Sequence, residues 1–195
     1  AFADTTLAMG LATWNGSNWA NVTSGSSASG PNGVIMSLAV FGGKLYVGGA
    51  FSSWGGYPYS AYNNIAAFNG TAWSTLPCGS SNGVSDTVYA LTASDTRLYI
   101  GGSFSSLRNG TMANSVVSWD GSAWWTVAAL DSGPPQYHPV TSLAVFWGRL
   151  YAGIRYWSEG GSLPPLYDGT AASGIMSVGL AAGVNARWSA PVQVR

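Results

Sequence analysis

Apolar and polar positions along this chain fall into short runs, each closed by Gly, Asn or Asp, and this pattern predicts strands rather than helices. Ile35-Met36-Ser37-Leu38-Ala39-Val40-Phe41 reads as a buried strand, Gly42-Gly43 turns it, and Lys44 to Gly49 forms a second strand. The sequence Leu45-Tyr46-Val47-Gly48-Gly49-Ala50-Phe51-Ser52-Ser53 returns as Leu98-Tyr99-Ile100-Gly101-Gly102-Ser103-Phe104-Ser105-Ser106, and in decayed form as Leu150-Tyr151-Ala152-Gly153. The copies start 53 and 52 residues apart, near the period of about 40 to 50 residues of propeller blades. An Asn-Gly or Asp-Gly pair between two short runs is the strongest local hairpin signal, because a type I′ turn needs positive φ at both central residues. Such pairs stand at Asn15-Gly16, Asn69-Gly70, Asp120-Gly121 and Asp168-Gly169, and the first three have an aromatic on each side.

Each unit therefore reads as four antiparallel strands: a first buried strand, the Leu-Tyr-x-Gly-Gly strand, a strand ending in an aromatic, and a strand after the Asn/Asp-Gly turn. Four strands per repeat make the fold class all-β, a β-propeller of four-stranded blades. The expected layout is a single domain over residues 1–195, with a half-blade at 7–23, blades at 34–76, 84–128 and 140–172, and a half-blade at 174–190. Pairing the two halves closes a four-bladed ring and removes exposed edges; the alternative is an arc of a larger ring. Ser37, Ala90, Ser142 and Ser177 fall at one place in the first strands, where small residues suit a crowded axis. Aromatics beside the turns are expected to pack between neighbouring blades.

Composition adds one anomaly. Charged residues make up only 7% of the chain, seven of each sign, against roughly 25% in an ordinary soluble domain. No basic patch exists to hold phosphates, so nucleic acid is not an expected partner. No run of about 18 apolar residues is present, so no membrane-spanning helix is expected. Hydroxyls, amides, glycans or burial in an assembly would replace the missing charge, and a Ser- and Asn-rich surface points to an extracellular or cell-surface protein. The first residue is not Met and no signal peptide follows it, as in a processed protein or part of a longer one. Cys78 is the single cysteine; it reads either as a half-buried loop residue after Pro77 or as half of an intermolecular disulfide. Asn15, Asn21, Asn69 and Asn109 each satisfy Asn-x-Ser/Thr, the N-glycosylation pattern, although Asn15 and Asn69 are also demanded by their turns.

The glycine pairs Gly48-Gly49 and Gly101-Gly102, followed by Phe68 with Trp73 and by Trp119 with Trp124, resemble the kelch repeat and the propeller of galactose-oxidase-like proteins. Gly153-Ile154 departs from that pattern, and the blades are a few residues long for kelch units. The resemblance implies a binding scaffold more than an enzyme. Copper chemistry of the oxidase type is not carried over, since it needs several His and Tyr ligands and the chain holds one His.

Catalytic groups are sparse. His138 is the single imidazole and Glu159 the single glutamate; a Ser-His-Asp set with Asp131 has no strained nucleophile elbow to complete it. No cluster with zinc spacing is present, and Asp120 and Asp168 are accounted for by their turns. The expectation is no catalytic residue, no metal and no cofactor. Candidate contact residues gather instead on the loops between second and third strands and between blades: Trp54, Tyr57 and Tyr59, then Arg108, then Tyr137 and His138, then Arg155, Tyr156, Trp157 and Glu159. Tyr, Trp and Arg enrich the centres of protein interfaces, and aromatic faces beside amides also stack on sugars. The competing reading is that these aromatics only pin Gly-rich loops. On the opposite face Trp147 replaces Gly42 in a tight turn, where it is expected to be exposed. Together these features point to a secreted structural or interaction module whose partners are other chains of an assembly, copies of itself included. A glycan-binding module is the alternative, and a hydrolase or lyase a more distant one.

Overall fold

A computed structural model describes residues 10–22, 30–54, 62–127 and 139–154, and the backbone of 175–179 and 188–189. Among these residues the chain is all-β, with no helix. Three antiparallel four-stranded sheets follow one another, each in sequence order. The first comprises β3 (Val34–Phe41), β4 (Lys44–Ala50), β5 (Ile65–Phe68) and β6 (Trp73–Ser74). The second comprises β9 (Val88–Ala93), β10 (Leu98–Gly102), β11 (Val116–Trp119) and β12 (Trp124–Thr126). The third comprises β13 (Val140–Phe146), β14 (Arg149–Ile154), β15 (Ile175–Gly179) and β16 (Trp188–Ser189). Ahead of them stands a lone hairpin of β1 (Ala12–Trp14) and β2 (Trp19–Asn21), and a small hairpin of β7 (Pro77–Cys78) and β8 (Ser81–Asn82) joins the first two sheets.

The turns follow their chemistry. Across each Asn/Asp-Gly turn the flanking aromatics are register partners: Trp14 with Trp19, Phe68 with Trp73, Trp119 with Trp124. In each turn the first side chain supplies the oxygen that gathers the following amides. Asn69 Oδ1 accepts from Thr71 N at 2.9 Å and Ala72 N at 2.7 Å, and Asp120 Oδ1 accepts from Ser122 N at 2.9 Å and Ala123 N at 2.7 Å. The first two sheets also share a corner before their third strand. Asn64 N donates to Phe51 O and Ser115 N to Phe104 O, while Gly49 N donates to Asn64 O and Gly102 N to Ser115 O. Asn63, Asn64, Asn114 and Ser115 hold positive φ there.

First strands lie side by side: β3 packs on β9, and β9 on β13. Glycine makes this approach possible. A Cβ on Gly48 would lie 2.5 Å from Val88 Cγ1, and one on Gly101 would lie 2.7 Å from Val140 Cγ1 and 3.0 Å from Leu143 Cδ1. Ser37 crosses the same boundary, its hydroxyl accepting from Leu91 N at 2.9 Å. The main core fills the space between the first two sheets, with Ile65, Leu76, Val84, Leu98, Ile100 and Phe104 among its buried members. There Trp119 bonds the hydroxyl of Tyr46, while burial pushes the Tyr46 phenol above its ordinary range. A smaller core joins Leu11 of the hairpin end to Val47, Phe51, Trp54 and Ala66.

Three expectations are corrected, and a choice left open at Cys78 is decided. Residues 175–179 pair with β14 as the third strand of the third sheet, and 188–189 pair with β15 as its fourth. They are therefore not a half-blade that clasps residues 7–23, and the third sheet does not end at residue 172; Ser177 sits in a third strand, not a first. A short apolar run does not itself choose its partner strand, and here β14's open edge takes it. Secondly, Ile35 to Phe41 is not a buried strand: Val34, Met36, Leu38 and Val40 are 59, 45, 49 and 69% exposed. Thirdly, Trp14 and Trp19 lie against each other, 5.5 Å between centroids and tilted by 46°, without being buried between sheets. Finally, Cys78 is buried, its thiol 3.6 Å from Gly83 O, so it is out of reach of an intermolecular disulfide in the folded chain. The turn at Asp168-Gly169 lies outside the described residues.

Candidate functional site

Trp147 is the most exposed of the large apolar side chains described, at 88%. It closes the two-residue turn between Phe146 and Arg149, which are register partners. In the first sheet the same turn is Gly42-Gly43, at φ +54° and +71°; in the third it is Trp147-Gly148, at φ +48° and +66°. A type I′ turn asks for left-handed backbone at both positions, which suits glycine and strains a bulky residue by about 1–2 kcal/mol. Phe146, itself 59% exposed, stacks on the indole at 5.5 Å and 20° between planes. Two large rings thus lie together on the surface, one of them in a strained conformation. Nothing in the described fold is filled by the indole.

Trp54 behaves in the opposite way. Expected on the surface, it is 4% exposed and stacks within 4.0 Å of Trp73, with Phe51 edge-on at 5.6 Å. Its backbone bridges to Pro31. This is a correction: Trp54 pins its loop to the smaller core, and the glycan-binding alternative loses one of the aromatic faces it drew on. Arg108 is exposed, and its backbone amide donates to Gly83 O. Tyr57, Tyr59, Tyr137, His138, Arg155, Tyr156, Trp157 and Glu159 lie outside the described residues, as does Asp131, so the structure does not bring them together with Trp147 or Arg108.

Among the sequons, Asn15, Asn69 and Asn109 are exposed and Asn21 half-buried. Asn15 and Asn69 use Oδ1 for their turns, and Asn109 Oδ1 accepts from Thr111 N at 3.0 Å. Among the described residues no three His, Cys, Asp or Glu gather to hold a metal. Among the described residues Asp120 is the acid with a strong perturbation. Its carboxyl is held far below the usual range first by the Trp125 indole N–H, then by the Ala123 and Ser122 amides. The Arg97 guanidinium lies 4.5 Å over the Trp125 ring and also donates to Ser118 Oγ at 3.3 Å. Ser118, Arg97, Trp125 and Asp120 form a chain of contacts along the second sheet, each member accounted for by its neighbours.

Two features escaped the sequence pattern. Leu38 and Val40, the cross-strand partners of Val47 and Leu45, form a short exposed apolar stripe on β3 that a continuous run of apolar residues disguised as core. Asn63 and Asn64 brace the first sheet to the β7–β8 connection, with Nδ2 of Asn63 donating to Asn82 O at 2.8 Å and that of Asn64 to Val84 O at 3.3 Å. The Asn-Asn pair was the available signal, since asparagine tolerates left-handed backbone. No protein-family model matches this chain, and no curated protein matches it.

Proposed function

We propose that the chain is an arc of a kelch-like β-propeller, secreted or displayed at a cell surface, that works as a structural module in a larger protein assembly. Support for the propeller comes from three four-stranded sheets in chain order whose first strands adjoin. The observation that carries the assembly reading is Trp147, 88% exposed in a left-handed turn that its sibling fills with glycine. A residue held there against backbone preference, with only the exposed Phe146 ring to pack on, is explained by contact with another chain. N-glycans on exposed sequons would supply the solubility that the sparse charge does not.

The test is the native mass of the secreted protein and of Trp147→Gly, each before and after enzymatic removal of N-glycans. A particle several chains in mass that dissociates in the Trp147→Gly variant, with a mass drop on deglycosylation, is the expected result. A wild-type monomer, or a particle that the substitution leaves whole, overturns the role given to Trp147. Unchanged mass on deglycosylation removes the glycans from the proposal.

A further inference from the structure

The turns at Asn69 and Asp120 are siblings in the repeat, and their inner halves are alike. Asn69 Oδ1 accepts from Thr71 N, Thr71 Oγ1 and Ala72 N at 2.9, 3.0 and 2.7 Å. Asp120 Oδ1 accepts from Ser122 N, Ser122 Oγ and Ala123 N at 2.9, 2.9 and 2.7 Å. The turn therefore asks for one side-chain oxygen, and a carboxylate supplies it as well as an amide does. Asparagine at 69 is not dictated by the turn.

The outer halves differ. Asp120 Oδ2 accepts from the Trp125 indole N–H at 2.6 Å, the Arg97 guanidinium lies over that indole, and Arg97 also reaches Ser118 Oγ. Strand register puts Ser74 where Trp125 stands and Ala67 where Ser118 stands, and Lys44 precedes Leu45 as Arg97 precedes Leu98. That chain of contacts has no counterpart in the first sheet. Ser74 Oγ donates to Ala67 O, and the Lys44 ammonium, a donor, cannot bond a second donor. Among the described residues Asn69 Nδ2 has no hydrogen-bond partner, and Asn69, Gly70 and Thr71 are all exposed.

We propose that Asn69 is the N-glycan attachment site of the first sheet, and that its turn carries the sugar without rearrangement. Asn69-Gly70-Thr71 is a complete acceptor sequence. The donor class is an oligosaccharide joined through pyrophosphate to a lipid. In the transfer the bond from Asn69 Nδ2 to the sugar C1 forms as the bond from C1 to the pyrophosphate oxygen breaks. Nδ2 gives up one proton, and the lipid pyrophosphate leaves with the electron pair. The product is a secondary amide that keeps Oδ1 for Thr71 and Ala72, and the sugar sits on the one side-chain atom that the turn does not use. Asp120 is the closed version of this turn, with no amide nitrogen and with its outer oxygen covered by Trp125. At Asn15 and Asn109 the donors on Oδ1 are backbone amides alone; at Asn69 the Thr71 hydroxyl adds a third and fixes the amide more firmly. The proposal rests on the secreted reading above and names the residue that carries the sugar.

The test is peptide mapping of the secreted protein by mass spectrometry, with and without an amidase that removes N-glycans and turns each modified Asn into Asp. Conversion of Asn69 in the majority of copies is expected, well beyond that in the untreated digest. Hydrogen exchange at the Ala72 amide should be unchanged by the sugar, since its acceptor is kept. Asn69→Asp should lose the glycan and still fold, because Asp120 makes the same turn bonds. An unmodified Asn69 in a protein glycosylated at Asn15 or Asn109 overturns this site alone. Faster exchange at Ala72 in the glycosylated form, or an Asn69→Asp chain that does not fold, overturns the geometry. No glycan at any of the four sequons overturns the proposal together with the glycans of the reading above, while the assembly role of Trp147 is judged separately by Trp147→Gly.

Discussion

The first and second sheets share the Leu-Tyr-x-Gly-Gly strand and the Asn/Asp-Gly turn and end up differently buried. All five residues of β10 are buried, and β9 exposes none of its six; β3, its counterpart, exposes every second residue. Trp119 is 4% exposed, whereas Trp14 and Trp19 of the lone hairpin are 50 and 56% exposed. What separates these regions is their company. The second sheet has a sheet on either side, and the first has a full sheet on one side and two short strands on the other. Burial in this chain is conferred by the neighbouring unit, so a strand's own hydrophobicity does not reveal whether it is core.

The largest effect that would sharpen this contrast comes from Phe104, fully buried in the main core. Phe104→Ala is expected to cost about 3–5 kcal/mol, and Leu38→Ala on the exposed stripe about 1 kcal/mol or less, both read by denaturant unfolding. Similar losses at the two positions would break the comparison. Next comes the glycine contact: Gly101→Val forces a side chain into Val140 and Leu143 and should cost about 1–3 kcal/mol. Gly153→Val meets only Ser142 among the described residues and should cost less by the same assay.

A smaller effect, of opposite sign, is expected at Trp147. Trp147→Gly relieves the left-handed strain while losing the stack on Phe146, and should leave stability unchanged or raise it by up to about 1 kcal/mol. A loss greater than that in thermal unfolding would show that the indole is structural. The smallest effect concerns acid. Hydrogen bonds that lower the folded pKa of Asp120 stabilise the fold at pH values above the ordinary carboxylate range, and that contribution is lost as pH falls through it toward the lower folded value. Asp120→Asn keeps an oxygen for the turn amides but not the charge. Any stability advantage of the wild type over this variant should be present at pH 7 and shrink below about pH 4.

Much of the strand layout was legible because turn chemistry is local. The three Asn/Asp-Gly hairpins with flanking aromatics, the Gly-Gly strands, and the spans of the first two sheets follow from residues within a few positions of one another. The third sheet was misread because Ile175 to Gly179 looks equally like a first or a third strand. Which edge a short strand joins depends on residues far away in the chain. Trp54 was misplaced for a related reason: a Trp in a Gly-rich loop looks exposed until Trp73 arrives from the next strand pair to cover it.

The contact between Gly48 and Val88 is the same contact as that between Gly101 and Val140. Each unit therefore offers its successor the surface its predecessor offered to it. Removing one unit in register would bring Gly48 against Val140 and Leu143, side chains of the type it already meets, and inserting one would repeat the join. Nothing in the joints between the described sheets counts them. Whatever sets the number of units, it is not the chemistry of the seam.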